Sequence, residues 1–167
     1  MVDVRLSPKE ITECERAAQL RSMLSRASGI VNQRKDSSRS DYDIDLTGIK
    51  GELAVAKVYQ AEFNVFNFGI DSGVDMFIEG IAIDVKSTTH LNGKLLFKSK
   101  ESFKSPYAIL AIVIDPDIVR IAGWISRVSF AEEAKVFNAN KTSLAMTQEE
   151  LKSPESFWLN ITKLRVQ

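Results

Sequence analysis

Apolar positions along this chain follow a helical period first and an alternating one later. Ile11, Cys14, Ala18, Leu20, Leu24 and Ala27 recur at near-helical spacing. They stand behind Ser7-Pro8-Lys9-Glu10, a capping box with proline at the first helical position, and predict a helix over residues 8–28. Residues 32–45 lose the period and read as a polar loop or linker, with Arg34, Lys35, Arg39 and Asp41 among serines. A second helix is predicted from Thr47 or Gly48 to Tyr59, apolar at Ile49, Leu53, Val55, Ala56 and Tyr59. Residues 64–69 read as a short strand and 70–73 as a turn.

From Gly73 to Thr88 the period becomes two. Alternating runs meet at Glu79-Gly80, a two-residue hairpin connection in which glycine accepts positive φ. Counting outward from that turn pairs Ile78 with Ile81, Phe77 with Ala82 and Met76 with Ile83, and sets Asp75 opposite Asp84. One face then carries Val74, Met76, Ile78, Ile81, Ile83 and Val85, and the other Asp75, Asp84 and Lys86. Like charges directly opposed across a strand pair are unfavourable, so two carboxylates there call for a cation between them, and a hard divalent ion supplies one.

Beyond the hairpin, residues 91–94 predict a turn, 95–97 an extension of the sheet, and 99–105 a short helix. Residues 107–114 form a continuous aliphatic run, read as a strand buried on both faces. Asp115-Pro116-Asp117 turns the chain into a neighbouring strand over 119–126, and capping boxes at Ser129 to Glu132 and Thr147 to Glu150 predict short helices. This order predicts an α/β fold, a central mixed β-sheet flanked by helices. It is expected as one domain: an N-terminal helix and polar loop (1–45), a core (46–126) and C-terminal helical elements (127–167).

The composition narrows the function classes. The chain has 167 residues, 44% hydrophobic and 26% charged, as in a soluble globular protein. Its longest apolar run, near residues 108–114, is far too short to span a bilayer, and the N-terminus has no signal-peptide pattern, so an intracellular, non-membrane location (cytoplasmic or nucleoid-associated) is expected. One cysteine, Cys14, excludes an internal disulfide and a cysteine-based zinc site. The 22 basic and 22 acidic residues balance, but Lys86, Lys94, Lys98, Lys100 and Lys104 follow the acidic hairpin closely, with Glu101 the acid among them. A positive surface beside carboxylates attracts phosphates. Arg34, Lys35 and Arg39 are further candidates for phosphate contact. Glu52 lies between residues that face a core, so its carboxylate wants a partner. His90, the single histidine, reads as a loop residue, and the serines lack a nearby His for a triad. Trp124 and Trp158 read as core.

A helix bearing Glu52, a strand bearing Asp75 and a partner strand carrying Asp84-Val85-Lys86 together resemble the core of the PD-(D/E)xK, or restriction-endonuclease-like, nuclease superfamily. Gly51-Glu52, Gly73-Val74-Asp75 and Ile83-Asp84-Val85-Lys86-Ser87-Thr88 are most similar to the archaeal-type Holliday junction resolvases, over about a quarter of the chain. Val74 stands where the family usually has proline. The resemblance implies a restriction-endonuclease-like core in which Glu52, Asp75, Asp84 and the Val85 carbonyl hold Mg²⁺, with Mn²⁺ as a substitute. Lys86 then orients or deprotonates the attacking water, and Lys94, Lys98, Lys100, Arg34, Lys35 and Arg39 touch DNA.

The function expected is therefore a metal-dependent endodeoxyribonuclease leaving 5′-phosphate and 3′-hydroxyl ends, working as a homodimer because one small site cuts one strand. The alternatives are a Holliday junction resolvase-type structure-specific nuclease and a non-catalytic DNA-binding protein that keeps the fold. An RNA-cleaving relative is a further possibility, which exposed aromatics would favour; those here read as mostly buried.

Overall fold

The computed structural model of the protein describes residues 1–27, 39–67, 73–138 and 141–164. In chain order its elements are β1 (Val2–Arg5), α1 (Pro8–Ala27), α2 (Asp41–Tyr59), β2 (Met76–Ile78), β3 (Ile81–Thr88), β4 (Leu95–Phe97), β5 (Tyr107–Asp115), β6 (Ile118–Ser126), α3 (Arg127–Glu133), β7 (Lys135–Asn138), β8 (Lys141–Met146), a 3-10 turn at Gln148–Glu150 and α4 (Pro154–Leu164). The fold is α/β. A five-stranded mixed sheet has the order β1-β6-β5-β3-β2, with β3 and β5 parallel and the other neighbours antiparallel.

Each face of this sheet has its own core. On one, Ile83, Val85, Ile109, Ala111 and Val119 meet Ala54, Val55 and Ala56 of α2 and Phe157 and Ile161 of α4. On the other, Ala108, Leu110 and Ile112 meet Leu95, Phe97, Phe130 and Met146. Strand β5 is thus covered on both sides, which is why its sequence is a continuous apolar run. Helix α1 packs the small side chains of Cys14, Ala17 and Ala18 against Ile49 of α2. Burial pushes the Cys14 thiol up to about 11, an inert packing group. No helix among the described residues is long and apolar enough to cross a membrane.

The hairpin forms with the expected register: Met76 pairs with Ile83, Phe77 with Ala82 and Ile78 with Ile81. Both turn residues, Glu79 (φ 52°) and Gly80 (φ 80°), take positive φ, the type I′ conformation whose twist suits a two-residue connection. The first helix and its capping box also form as expected: Ser7 N–H donates to Glu10 Oε2 at 2.7 Å and Glu10 N–H to Ser7 Oγ at 3.3 Å.

Elsewhere the chain departs from its local pattern. Helix α2 begins at Asp41, not at 47 or 48, because Ser40 and Asp43 form a reciprocal capping box that the polar composition concealed. Residues 64–67 make a turn, with Asn67 N–H donating to Asn64 O, rather than a strand. Residues 99–105 form successive turns and no helix. Strand β1 was not expected, nor were β7 and β8, which with β4 make a separate sheet in the order β4-β8-β7. Residues 127–167 are therefore not simply helical, and 95–97 extend this second sheet instead of the first. Helix α3 is capped three residues before the expected position, by Ser126, whose side chain accepts from Ser129 N–H. The expectations for Arg34, Lys35 and residues 70–72 lie outside the described residues.

The closest approach of the layers is at Gly51 on α2. A Cβ there would lie 2.0 Å from Ser87 Oγ, 2.9 Å from Ser87 Cβ and 3.1 Å from Ala111 Cβ. A hydroxyl can rotate away, but the two Cβ atoms are fixed to β3 and β5. Gly48, one turn earlier, meets only Glu52 Oε1 at 3.8 Å. Gly51→Ala is therefore expected to lower stability by about 1–3 kcal/mol through overpacking. Gly48→Ala, with open space and a better helix former, is expected to raise it by roughly 0.5–1 kcal/mol. Urea unfolding of the two variants checks this; equal effects would show that α2 is free to shift off the sheet.

Candidate active site

Strand alternation and the type I′ turn build the site's first half. Asp75 sits just before β2, outside the paired register, and its N–H donates at 2.9 Å to the carbonyl of Ile83, the partner of Met76, rather than pairing with Asp84 as expected. Asp75 Oδ2 accepts from Val85 N–H at 2.6 Å, so the carboxylate bends across to the partner strand beside Asp84. Asp84 is 1% exposed. Its Oδ1 lies 2.5 Å from Lys86 Nζ, an ion pair that offsets the cost of burying the carboxylate. Lys86 also stands over the Phe97 ring, with Nζ 5.0 Å from the centroid. Asp84 and Lys86 thus point to the face covered by the second sheet, while Val85 and Ser87 face α2.

Helix α2 supplies the second half. Gly51 brings it against β3, and Glu52 follows directly. The Glu52 side chain is 14% exposed, with Arg21 Nη1 of α1 4.0 Å from its Oε1. Its pKa is pushed up to about 7, chiefly by burial and then by the charge of Asp75, with Asp84 adding to the rise and Arg21 and Lys86 opposing it. Glu52, Asp75, Asp84 and Lys86 are therefore electrostatic neighbours. Arg21 also lies 3.6 Å from Asp45 Oδ1, and burial raises the Asp45 pKa while Arg21 pulls it down. Arg21 and Asp45 gave no signal in the sequence, because their place depends on how α1 docks on α2.

The donors suit a hard divalent cation in kind: carboxylates from two strands and a helix, plus the Val85 carbonyl. The Glu52 pKa is raised to about 7 chiefly by burial and then by the charge of Asp75, and a cation bound beside the carboxylate would favour its charged form. Their aim is less ready. Among the described residues, no three of His, Cys, Asp and Glu come together as a group able to hold a metal ion. Asp75 is turned toward Val85 N–H and Asp84 toward Lys86, so coordination would require both side chains to swing.

The expected basic surface is divided. Lys94 lines a groove together with Lys86 and His90. Lys100 lines a different groove with Lys104 and Arg127. Lys98 is exposed on the chain just after β4. Arg39 folds back on the start of α2, donating to Asp43 O at 3.0 Å and Thr47 Oγ1 at 2.5 Å. Trp124 is buried and Trp158 packs against the core, as expected. Most described aromatics are buried or half-buried, as expected, and Phe66, Phe77 and Phe137 are exposed. Phe77 pairs with Ala82 across the hairpin.

Residues 4–140 match a family described as a family of unknown function, DUF5843. No curated protein and no solved structure matches the chain.

The raised Glu52 pKa has a measurable sign. Between its ordinary value of 4.5 and about 7, the folded protein binds more protons at Glu52 than the unfolded chain does. Stability therefore falls as pH rises through that window and levels off above it. Glu52→Gln is expected to match wild type near pH 4.5 and to exceed it at pH 8 by on the order of 2 kcal/mol, measured by urea unfolding. A gap that does not change with pH would mean that Glu52 ionises normally.

Proposed function

Because the chain belongs to this family of unknown function, its site must carry the functional reading, and we propose that it is a metal-dependent endodeoxyribonuclease with a restriction-endonuclease-like core. The observation that carries the proposal is the gathering of charges at the hairpin: Asp75 Oδ2 accepts from Val85 N–H, Lys86 Nζ lies 2.5 Å from Asp84 Oδ1, and Glu52 is close enough to feel all three charges. The substrate is DNA, cut to 5′-phosphate and 3′-hydroxyl ends inside the cell. Two copies acting as a homodimer cut both strands.

Glu52, Asp75, Asp84 and the Val85 carbonyl would hold Mg²⁺, or Mn²⁺ in its place. When bound, such an ion supplies a water of lowered pKa and offsets charge at the scissile phosphate. Lys86, released from Asp84, donates to a non-bridging phosphate oxygen and offsets the charge that grows there. Lys86 also orients the attacking water or helps to deprotonate it. The Val85 N–H keeps Asp75 turned toward β3, and Phe97 beneath Lys86 keeps its ammonium over the hairpin face.

A second reading rests on the closure of the same groups. With Asp84 paired to Lys86 and Asp75 to Val85 N–H, the arrangement is satisfied without an ion, which suits a DNA-binding protein that keeps the fold without catalysis. The two readings part on one experiment. Single-stranded, duplex, supercoiled and four-way-junction DNA are incubated with Mg²⁺, Mn²⁺ or EDTA. The nuclease reading expects metal-dependent cutting that falls by at least ~10²-fold in Asp84→Asn and Lys86→Met. The preferred substrate separates a junction resolvase from a duplex endonuclease. Binding without cutting, equal in wild type and variants, would replace this reading with the second.

A further inference from the structure

Beside Lys86, a groove of about 390 Å³ lies between the end of β3, the 90–94 turn and β7. Leu96 and Leu110 give it apolar surface, Lys86, Lys94 and His90 line it, and no described lining residue is acidic. The turn bearing Lys94 is braced: Gly93 N–H donates to His90 O at 2.8 Å, and the Gln148 side-chain amide donates to Leu91 O at 2.7 Å and Gly93 O at 3.0 Å. Phe137, on β7 at the edge of the second sheet, is 51% exposed, with Lys94 Nζ 5.3 Å from its ring centroid. Cationic lining favours a polyanion, and a ring left half-open beside it favours a flat partner. The volume is on the scale of a small-molecule or single-nucleotide pocket.

We propose that this groove holds a single DNA strand leading from the Lys86 site, with an unpaired base stacked on Phe137 and a neighbouring phosphate on Lys94. Aromatic side chains beside lysines are the general means of holding a single strand without reading its sequence. The inference rests on the nuclease reading and names its substrate class: DNA that carries an unpaired strand next to the cut. Phe137 gave no sign of this in the sequence because residues 135–138 did not read as a strand.

The test is equilibrium binding by fluorescence anisotropy in EDTA, where nothing is cut. The probes are an oligonucleotide of about 12 residues, long enough for one binding site, the corresponding duplex, and the same sequence as RNA. Wild type is expected to bind the single DNA strand more tightly than the duplex. Phe137→Leu is expected to lower single-strand affinity about tenfold while duplex affinity stays unchanged, and Phe137→Tyr, which keeps the ring, to retain wild-type binding. Lys94→Gln is expected to reduce the slope of log K against log salt by about 0.7 for the single strand. Leu159→Ser, at an exposed position on α4, serves as a control and changes neither affinity. Loss of both affinities together in Phe137→Leu, or of neither, would overturn the proposal; tighter binding of the RNA strand would overturn its assignment to DNA. Because binding is read without cleavage, a wild type that shows this pattern yet cuts nothing supports the groove and refutes the nuclease reading.

Discussion

Helix α2 lies so close to β3 and β5 at Gly51 that a Cβ there would sit 2.0 Å from Ser87 Oγ, and the place of Glu52, the next residue, follows from that approach. Three consecutive residues divide the work. Lys50, buried, donates from Nζ to Pro116 O at 2.7 Å and ties the helix to the β5–β6 turn. Gly51 sets the distance, and Glu52 is delivered toward the hairpin. The same packing seals Ser87 Oγ from water without a hydrogen-bond partner among the described residues, a burial that ordinarily costs about 1–3 kcal/mol. That cost is tolerated where the layers must lie close.

The charges gathered by this packing do not balance. Asp84 has Lys86 at 2.5 Å, but Arg21 stands 4.0 Å from Glu52 and 3.6 Å from Asp45, so one partly exposed guanidinium serves two acids. Burial first, and the charge of Asp75 second, push the Glu52 pKa up to about 7. A fold with no use for these acids would be more stable with amides or apolar groups in their place. Their convergence is the physical reason to propose a cation and a phosphate as ligands of this site.

The hairpin could be read from the sequence because everything that specifies it is local: alternation over residues 76–88 and a glycine in the turn. Strand β5 could be read because burial on both faces leaves an unbroken apolar run. What was hidden depends on distant partners. Strand β1 is a four-residue segment that exists by pairing with β6, where Arg120 also grips Asp3 through two hydrogen bonds of 2.7 and 2.8 Å. Strands β7 and β8 likewise need each other and β4. The start of α2 was concealed by its own polar cap. Of the expected site, Glu52, Asp75, Asp84 and Lys86 are neighbours, whereas the lysines and Arg39 scatter over two grooves and a helix cap. Arg21 and Phe137 entered the picture only through tertiary packing.

Divalent-ion binding to the hairpin acids is the claim on which the catalytic proposal stands, and thermal unfolding against Mg²⁺ concentration tests it without any assumption about substrate. An ion that binds the folded chain and not the unfolded one raises Tm with concentration. The account predicts that Tm of the wild type rises with Mg²⁺ at neutral pH while that of Asp75→Asn and Asp84→Asn does not. An equal response in all three proteins, or none in the wild type, would contradict it.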